Sequence, residues 1–248
     1  VTINRPEYSN AFARESYYEI ADAMNTLGAR DDVGVIVITG AGKHFSAGGD
    51  IKRFKMLVDT KTYLKAEDIE AVSAMPISIR NCPKPVIAMI NGVATGAGLS
   101  CALACDFRIV EPSSKMIMAF VNMGLCGDNE SIYTLTRLLG PDKAELMMMT
   151  GDAYKGEQCV KIGLATVLAE DGKLAETTYA LAAKLASKSS TAHAGQKRLI
   201  RKYFYGGMEN FAKDEGIEMA AASRQPDFTE AVNAFIEKRM PAYNLPHK

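Results

Sequence analysis

Two rhythms of apolar residues alternate along the first half of this chain, and only one persists along the second. Short β-branched runs at residues 33–39 and Val86–Ile90 end in turn residues, the pattern of strands buried on both faces. Residues 1–4, Phe107–Val110 and 116–120 read as further strands. Between them, residues 13–30 place Tyr17, Ile20, Met24 and Leu27 on one helical face. A strand, a glycine-rich loop and a helix then recur twice, over residues 33–80 and 85–105. Beyond Ser131 the pattern turns mostly helical, with helices predicted at 171–187, 191–205, 208–223 and 226–239 and one later strand at 164–168. The run Met147, Met148 and Met149 is expected to follow a helix and to serve as core or subunit contact. Strand–helix alternation followed by a helical tail predicts an α/β core with a C-terminal helical part.

Composition narrows the picture. The chain has 248 residues, 48% hydrophobic and 23% charged, with 29 basic and 29 acidic side chains, which suits one sizeable core. Balanced charge gives no electrostatic reason to expect nucleic acid or an anionic membrane as partner. No apolar run approaches the ~18–20 residues of a membrane span. The cysteines Cys82, Cys101, Cys105, Cys126 and Cys159 are odd in number and form no C-x-x-C pair. They predict small core or pocket residues in a reducing compartment, the cytoplasm or an organelle matrix, with no disulfide or metal framework. Val1 falls inside an expected strand, so the natural start is expected upstream and the lack of a leader carries no weight.

Candidate chemistry sits in two glycine-rich stretches. One is Phe45, Ser46, Ala47, Gly48, Gly49, Asp50, Ile51 and Lys52; the other runs from Asn91 and Gly92 through Thr95, Gly96, Ala97 and Gly98. Each follows a predicted buried strand. Glycine there lets the backbone turn sharply and bring bare N–H groups close to a ligand. One such loop is usually only a tight connection; two predict a pair of backbone donors converging on one developing negative charge.

In these residues the chain resembles the crotonase, or enoyl-CoA hydratase/isomerase, superfamily. The resemblance starts at Asn4, Arg5, Pro6 and Glu7 with Asn10 and Ala11, runs through both glycine loops and Cys105 and Asp106, and ends at Phe235, Ile236, Glu237, Lys238 and Arg239. It implies an α/β fold, a spiral of ββα units over residues 1–186 carrying an acyl-CoA site, with a C-terminal α-helical trimerisation region over 187–248. It also implies a homotrimer or dimer of trimers, a coenzyme A thioester as substrate, no tightly bound cofactor and no metal. By the same resemblance the N–H groups of Gly49 and Ala97 bind the thioester oxygen, where one such donor is typically worth ~3–4 kcal/mol of barrier. Ala47, Asp50 and Ile51 fall where relatives hold the adenine. Gly48, Gly96 and Leu125 complete the implied cofactor-binding set, and Phe235 and Lys238 match a C-terminal pair that often reaches the nucleotide of a neighbouring subunit.

The acid–base group departs from the commonest family pattern. The two hydratase glutamates align with Ser100 and Phe120, so both carboxylates are absent. Asp128 falls instead where isomerases of the superfamily carry a catalytic carboxylate. Set among Phe120, Met123, Leu125 and Cys126, it is expected to be partly desolvated, with a raised pKa. One carboxylate suits a 1,3-proton shift, which takes a proton from one carbon and returns it to another. The expected activity is therefore conversion of a 3-enoyl to a 2-enoyl thioester. The rivals are hydration, thioester hydrolysis with Ser100 or Asp128 activating water, and a non-catalytic CoA-binding or oligomeric scaffold. Asp128 as a helix cap or in a solvated turn with Asn129 and Glu130, and Glu130 as the acid, are the local alternatives; Asp50 and Asp106 are expected to be structural or binding groups. A dinucleotide site at residues 37–42 is set aside, because no G-x-G-x-x-G follows.

Overall fold

The computed structural model describes residues 1–243. These form eight strands: β1 (Thr2–Ile3), β2 (Ile36–Gly40), β3 (Val86–Ile90), β4 (Val93–Thr95), β5 (Phe107–Val110), β6 (Lys115–Ile117), β7 (Ala153–Lys155) and β8 (Val167–Leu168). The helices are α1 (Arg14–Gly28), α2 (Ile51–Asp59), α3 (Ala66–Val72), α4 (Ala74–Asn81), α5 (Ala97–Ala104), α6 (Ser131–Leu139), α7 (Pro141–Thr150), α8 (Gly156–Ile162), α9 (Leu174–Ala186), α10 (Ser190–Tyr203), α11 (Met208–Ala222) and α12 (Pro226–Ile236). No helix among the described residues is long and apolar enough to cross a membrane.

The continuous apolar runs have a simple cause. The larger sheet, in the order β1-β2-β3-β5-β8, is parallel throughout and covered on both faces. Alternate residues serve the two layers. Ile36, Ile38, Val86, Ala88, Ile90 and Val110 enter the main core with Tyr17, Ile20 and Met24 of α1. Val35, Val37, Ile87, Met89 and Ile109 face the other way, against Leu174, Leu181 and Leu185 of α9. Asp106 accepts from the Val86 N–H at 2.8 Å and pairs with Lys197 at 2.5 Å, which fastens the start of β3.

A smaller sheet, β4-β6-β7, pairs β4 with β6 in parallel and β6 with β7 antiparallel. It corrects the sequence reading in several places. The segment with Val93 and Thr95 is a strand inside what reads as a glycine loop. Residues 164–168 are not the one later strand, because β7 precedes them and β8 keeps only Val167 and Leu168. The strand expected at 116–120 is β6, and the chain turns away after Ile117. The methionine run lies within α7 rather than after it. Met147 is fully buried and Met149 is 71% exposed, as opposite sides of one helix require.

Asn10 shows how the first glycine loop is held. It is fully buried at φ 57°; its Oδ1 accepts from the Arg5 N–H at 2.9 Å, and its Nδ2 donates to the carbonyls of Ala41 (2.8 Å) and His44 (2.6 Å). Asn10→Ala strands all three backbone groups and loses a residue that tolerates left-handed backbone. It is expected to cost about 3 kcal/mol or more, read by denaturant unfolding. A loss below 1 kcal/mol means the loop is held elsewhere.

The last helices return across the molecule. α11 packs on α3, α12 on α2 and α10 on α4. The first two of these contacts roof a cavity that the glycine loops floor.

Candidate active site

The two glycine loops meet through one strand pairing. Ser46 bridges Ala94 in parallel; its N–H donates to the Val93 carbonyl at 3.0 Å, and its carbonyl accepts from the Thr95 N–H at 3.1 Å. On the other side, the Phe12 N–H donates to the Gly48 carbonyl at 2.7 Å. Gly49 and Ala97 each stand three residues beyond the Ser46–Ala94 pair, so the two segments reach the same wall together. Gly96, at φ 52° and ψ −127°, makes the turn from β4 into α5 that a side chain would oppose. Gly48 backs the contact: a Cβ there would fall 2.7 Å from the Thr95 carbonyl oxygen.

Among the described residues, neither the Gly49 nor the Ala97 N–H finds an acceptor. Ala97 opens α5, whose first N–H groups have no intrahelical partner and whose dipole places partial positive charge there. Both residues line a cavity of about 650 Å³ whose walls are largely apolar, with Phe12, Phe54, Leu64, Ile69, Val72 and Met219 among them.

Asp128 reaches the same cavity from the turn before α6 and is 8% exposed. The Ser100 hydroxyl lies 3.2 Å from the Asp128 carbonyl oxygen and 3.2 Å from that of Gly96, so α5 is bolted both to the Asp128 turn and to the loop bearing Ala97. Burial pushes the Asp128 carboxyl up to about 6, opposed by the Asn129 amide, which donates to Oδ1 at 2.6 Å, and by the charge of Arg53. Asp128 makes no side-chain cap to α6.

Behind Asp128 lies a second layer of carboxyls. Glu130 is fully buried, and its N–H donates to Glu215 Oε2 of α11 at 2.8 Å. Both Glu130 carboxyl oxygens and Glu215 Oε1 lack a hydrogen-bond partner among the described residues. Burial raises Glu130 to about 8 and Glu215 to about 9, with the Asp128 charge adding to each. Neither lines the cavity.

Most of the residues singled out in the sequence converge on this cavity. Gly49, Ala97, Asp128, Ala47, Asp50, Ile51, Gly96, Leu125 and Phe235 all line it. Gly48 lies just behind, and Lys238 stands outside while its neighbour Arg239 lines the wall. The Asp50 side chain is occupied: it pairs with Arg5 at 3.2 Å and caps α2 through the Lys52 N–H at 3.0 Å. Lys52 sits over the Tyr8 ring, 4.4 Å from its centroid. Sequence reasoning missed Tyr17 as more than core, and missed Arg53 altogether. The available signal for Arg53 was its place two residues after Ile51 and one before Phe54, at the edge of the inward face of α2. Among the described residues no group of three His, Cys, Asp or Glu could hold a metal ion.

The sequence profile described as enoyl-CoA hydratase/isomerase matches residues 1–245. The chain belongs to that family. Within the enoyl-CoA hydratase/isomerase family it is 31% identical to trans-2-decenoyl-[acyl-carrier-protein] isomerase of Streptococcus mutans, over 98% of this chain and 93% of the relative. It is 30% identical to 1,2-epoxyphenylacetyl-CoA isomerase of Escherichia coli, with the same coverage of each. The crystal structure of an enoyl-CoA hydratase from Mycobacterium avium subsp. paratuberculosis superposes with a TM-score of 0.88 at 27% identity, covering 98% of this chain and 93% of that one. The α/β crotonase fold expected from the sequence is the fold observed.

Proposed function

We infer that this enoyl-CoA hydratase/isomerase family member moves a carbon–carbon double bond of an enoyl-CoA from the 3 to the 2 position. The Gly49 and Ala97 amides receive the thioester oxygen. The Asp128 carboxylate takes a proton from carbon 2, and the electron pair delocalises onto that oxygen as a dienolate. The same carboxyl then returns its proton to carbon 4, so no water or second acid is consumed. Fixed amide dipoles in an apolar cavity hold the developing charge with little reorganisation. Ala47, Asp50, Ile51, Gly96, Leu125 and Phe235 supply the surrounding walls for the thioester and its carrier, with Gly48 backing them. Leu199, Ile200 and Tyr203 of α10, with Phe204 directly after it, stay at least half exposed, an apolar face that suits contact between copies of the chain.

The supporting observation is the count of free carboxylates. Two line the cavity among the described residues, Asp50 and Asp128, and Asp50 is taken by Arg5 and the α2 cap. One carboxyl serves a proton shuttle, whereas hydration by the two-glutamate route needs two. The isomerase name of the Streptococcus mutans relative is consistent with this reading, while relatives of equal identity carry hydratase names. Ser100, 1% exposed and bonded to backbone carbonyls, is poorly placed as a nucleophile.

Mixing the protein with a 3-enoyl-CoA and identifying the product tests it. A conjugated 2-enoyl thioester is expected. A 3-hydroxyacyl product means a hydratase, free CoA means a thioesterase, and binding without turnover means a scaffold. Gly98→Ala probes the amide pair separately. A Cβ there would meet Ser46 Cβ at 2.6 Å and the Ser46 carbonyl oxygen at 2.7 Å, forcing the first turn of α5 away from the Gly49 loop. Turnover should fall about 10²-fold, the lower end for losing one such donor. Unchanged turnover in a folded variant would remove Ala97 from the site.

A further inference from the structure

We propose that the acyl group this cavity accepts carries a carboxylate, recognised by the Arg53 guanidinium and the Tyr17 hydroxyl, which line the same cavity. The inference rests on reading the cavity as a thioester site, and it names the class of acyl chain that site takes. Arg53 and Arg239 are the two cations lining the cavity among the described residues. Arg239 is tied to Glu230 and Glu237. Arg53 forms no ion pair with a described residue, and its guanidinium donates to none of them. It is half-buried in a wall made mostly of carbon.

Tyr17 comes from the opposite direction, on α1, and its ring packs edge-on against Phe12 with centroids 5.2 Å apart. Tyr17 is 5% exposed and lines the cavity, and its hydroxyl makes no hydrogen bond to another described residue. Tyr17, Arg53 and Asp128 line the same cavity, and the Arg53 charge acts on the Asp128 carboxyl. A linear hydrocarbon chain would leave a cation and a phenol unpaired against apolar walls, which is costly. A substrate carboxylate satisfies both: guanidinium forms a planar fork to carboxylate, and the phenol donates one further bond. Pairing Arg53 with the substrate also withdraws its charge from Asp128, which leaves that carboxylate a stronger base once the proper acyl group is seated.

The test uses two matched pairs of thioesters. For turnover, 3-hexenoyl-CoA is compared with the coenzyme A monothioester of 3-hexenedioic acid. For binding, which needs no chemistry, hexanoyl-CoA is compared with adipoyl-CoA by calorimetry. The carboxylate-bearing member of each pair is expected to be preferred at least tenfold, with Arg53→Gln abolishing the preference and Arg53→Lys keeping part of it. Tyr17→Phe should weaken the carboxylate-bearing ligand while sparing the neutral one. Equal affinity of the wild-type protein for hexanoyl-CoA and adipoyl-CoA overturns the proposal, as does an Arg53→Gln variant that still discriminates. Discrimination in binding without isomerisation leaves the proposal standing and removes only the isomerase reading. The wild-type comparison does not depend on any variant folding.

Discussion

Asp128→Asn is expected to lower the rate of double-bond migration by two to four orders of magnitude while acyl-CoA binding changes little, on the ~10²–10⁴ scale of general acid–base catalysis. The amide of asparagine fills the same space beside Asn129 but cannot accept and return a proton. Because burial lifts the Asp128 carboxyl to about 6, the wild-type rate should climb through an acid limb near that pH, where the carboxylate form first dominates. Below the limb the carboxyl is protonated and cannot take the proton from carbon 2. Reaction in deuterium oxide adds a second readout. A single buried carboxyl that carries the proton between carbons should incorporate less than one deuterium per turnover. An Asp128→Asn variant within tenfold of wild type, or an unaltered acid limb, would falsify the assignment. Glu130 is an unsuitable replacement, because Glu130 lies outside the cavity wall.

What the sequence made legible, and what it concealed, follows from how many residues each feature needs. Residues 33–39 and Val86–Ile90 are long enough for their β-branched character to declare strands, and both glycine loops follow them directly. β4 spans three residues between Gly92 and Gly96, and its partner Ser46 lies about fifty positions earlier. No periodicity survives in so short a run, so the pairing that aligns Gly49 with Ala97 was invisible before the fold. The turn Asp128, Asn129 and Glu130 is legible only in part. The apolar neighbours predict a partly desolvated Asp128, but three polar residues in a row give no sign that Asn129 and Glu130 are buried with it. They are buried because α5 reaches them through Ser100 and α11 reaches them through Glu215. Glu215 sits on a helix with little apolar bias, and nothing local marks it as inward-facing. Arg53 is hidden for a related reason: a cation beside apolar positions usually extends its stem along them and leaves its head in water.

Glu215→Gln is expected to stabilise the protein by about 2–4 kcal/mol at pH 8 and by almost nothing at pH 4.5. The figure follows from about 1.4 kcal/mol for each tenfold change in proton affinity. In the folded chain burial lifts Glu130 to about 8 and Glu215 to about 9, from ordinary values near 4.5. A carboxyl raised on folding favours the native state fully below its unfolded value. That contribution drains away as pH rises, because the unfolded chain ionises freely while the folded one cannot. The loss ends only where the folded groups ionise, so native stability should decline between about pH 4.5 and pH 9. Asp128, Glu209, Arg201 and Cys126 share this neighbourhood; Asp128, raised to about 6, adds a decline of the same sign between pH 4 and 6. Glutamine keeps an oxygen for the Glu130 N–H, so the tether to the Asp128 turn survives while the ionisation is removed. Glu130→Gln should behave likewise, and the double variant should gain less than the sum, since removing one carboxyl relieves its neighbour. Denaturant unfolding at pH 4.5, 6.5 and 8 measures all three variants. A gain of equal size at every pH would mean that packing, not the trapped protons, sets the effect. The wild-type arrangement would persist because it fixes the turn that presents Asp128, a local cost of the kind concentrated at functional sites.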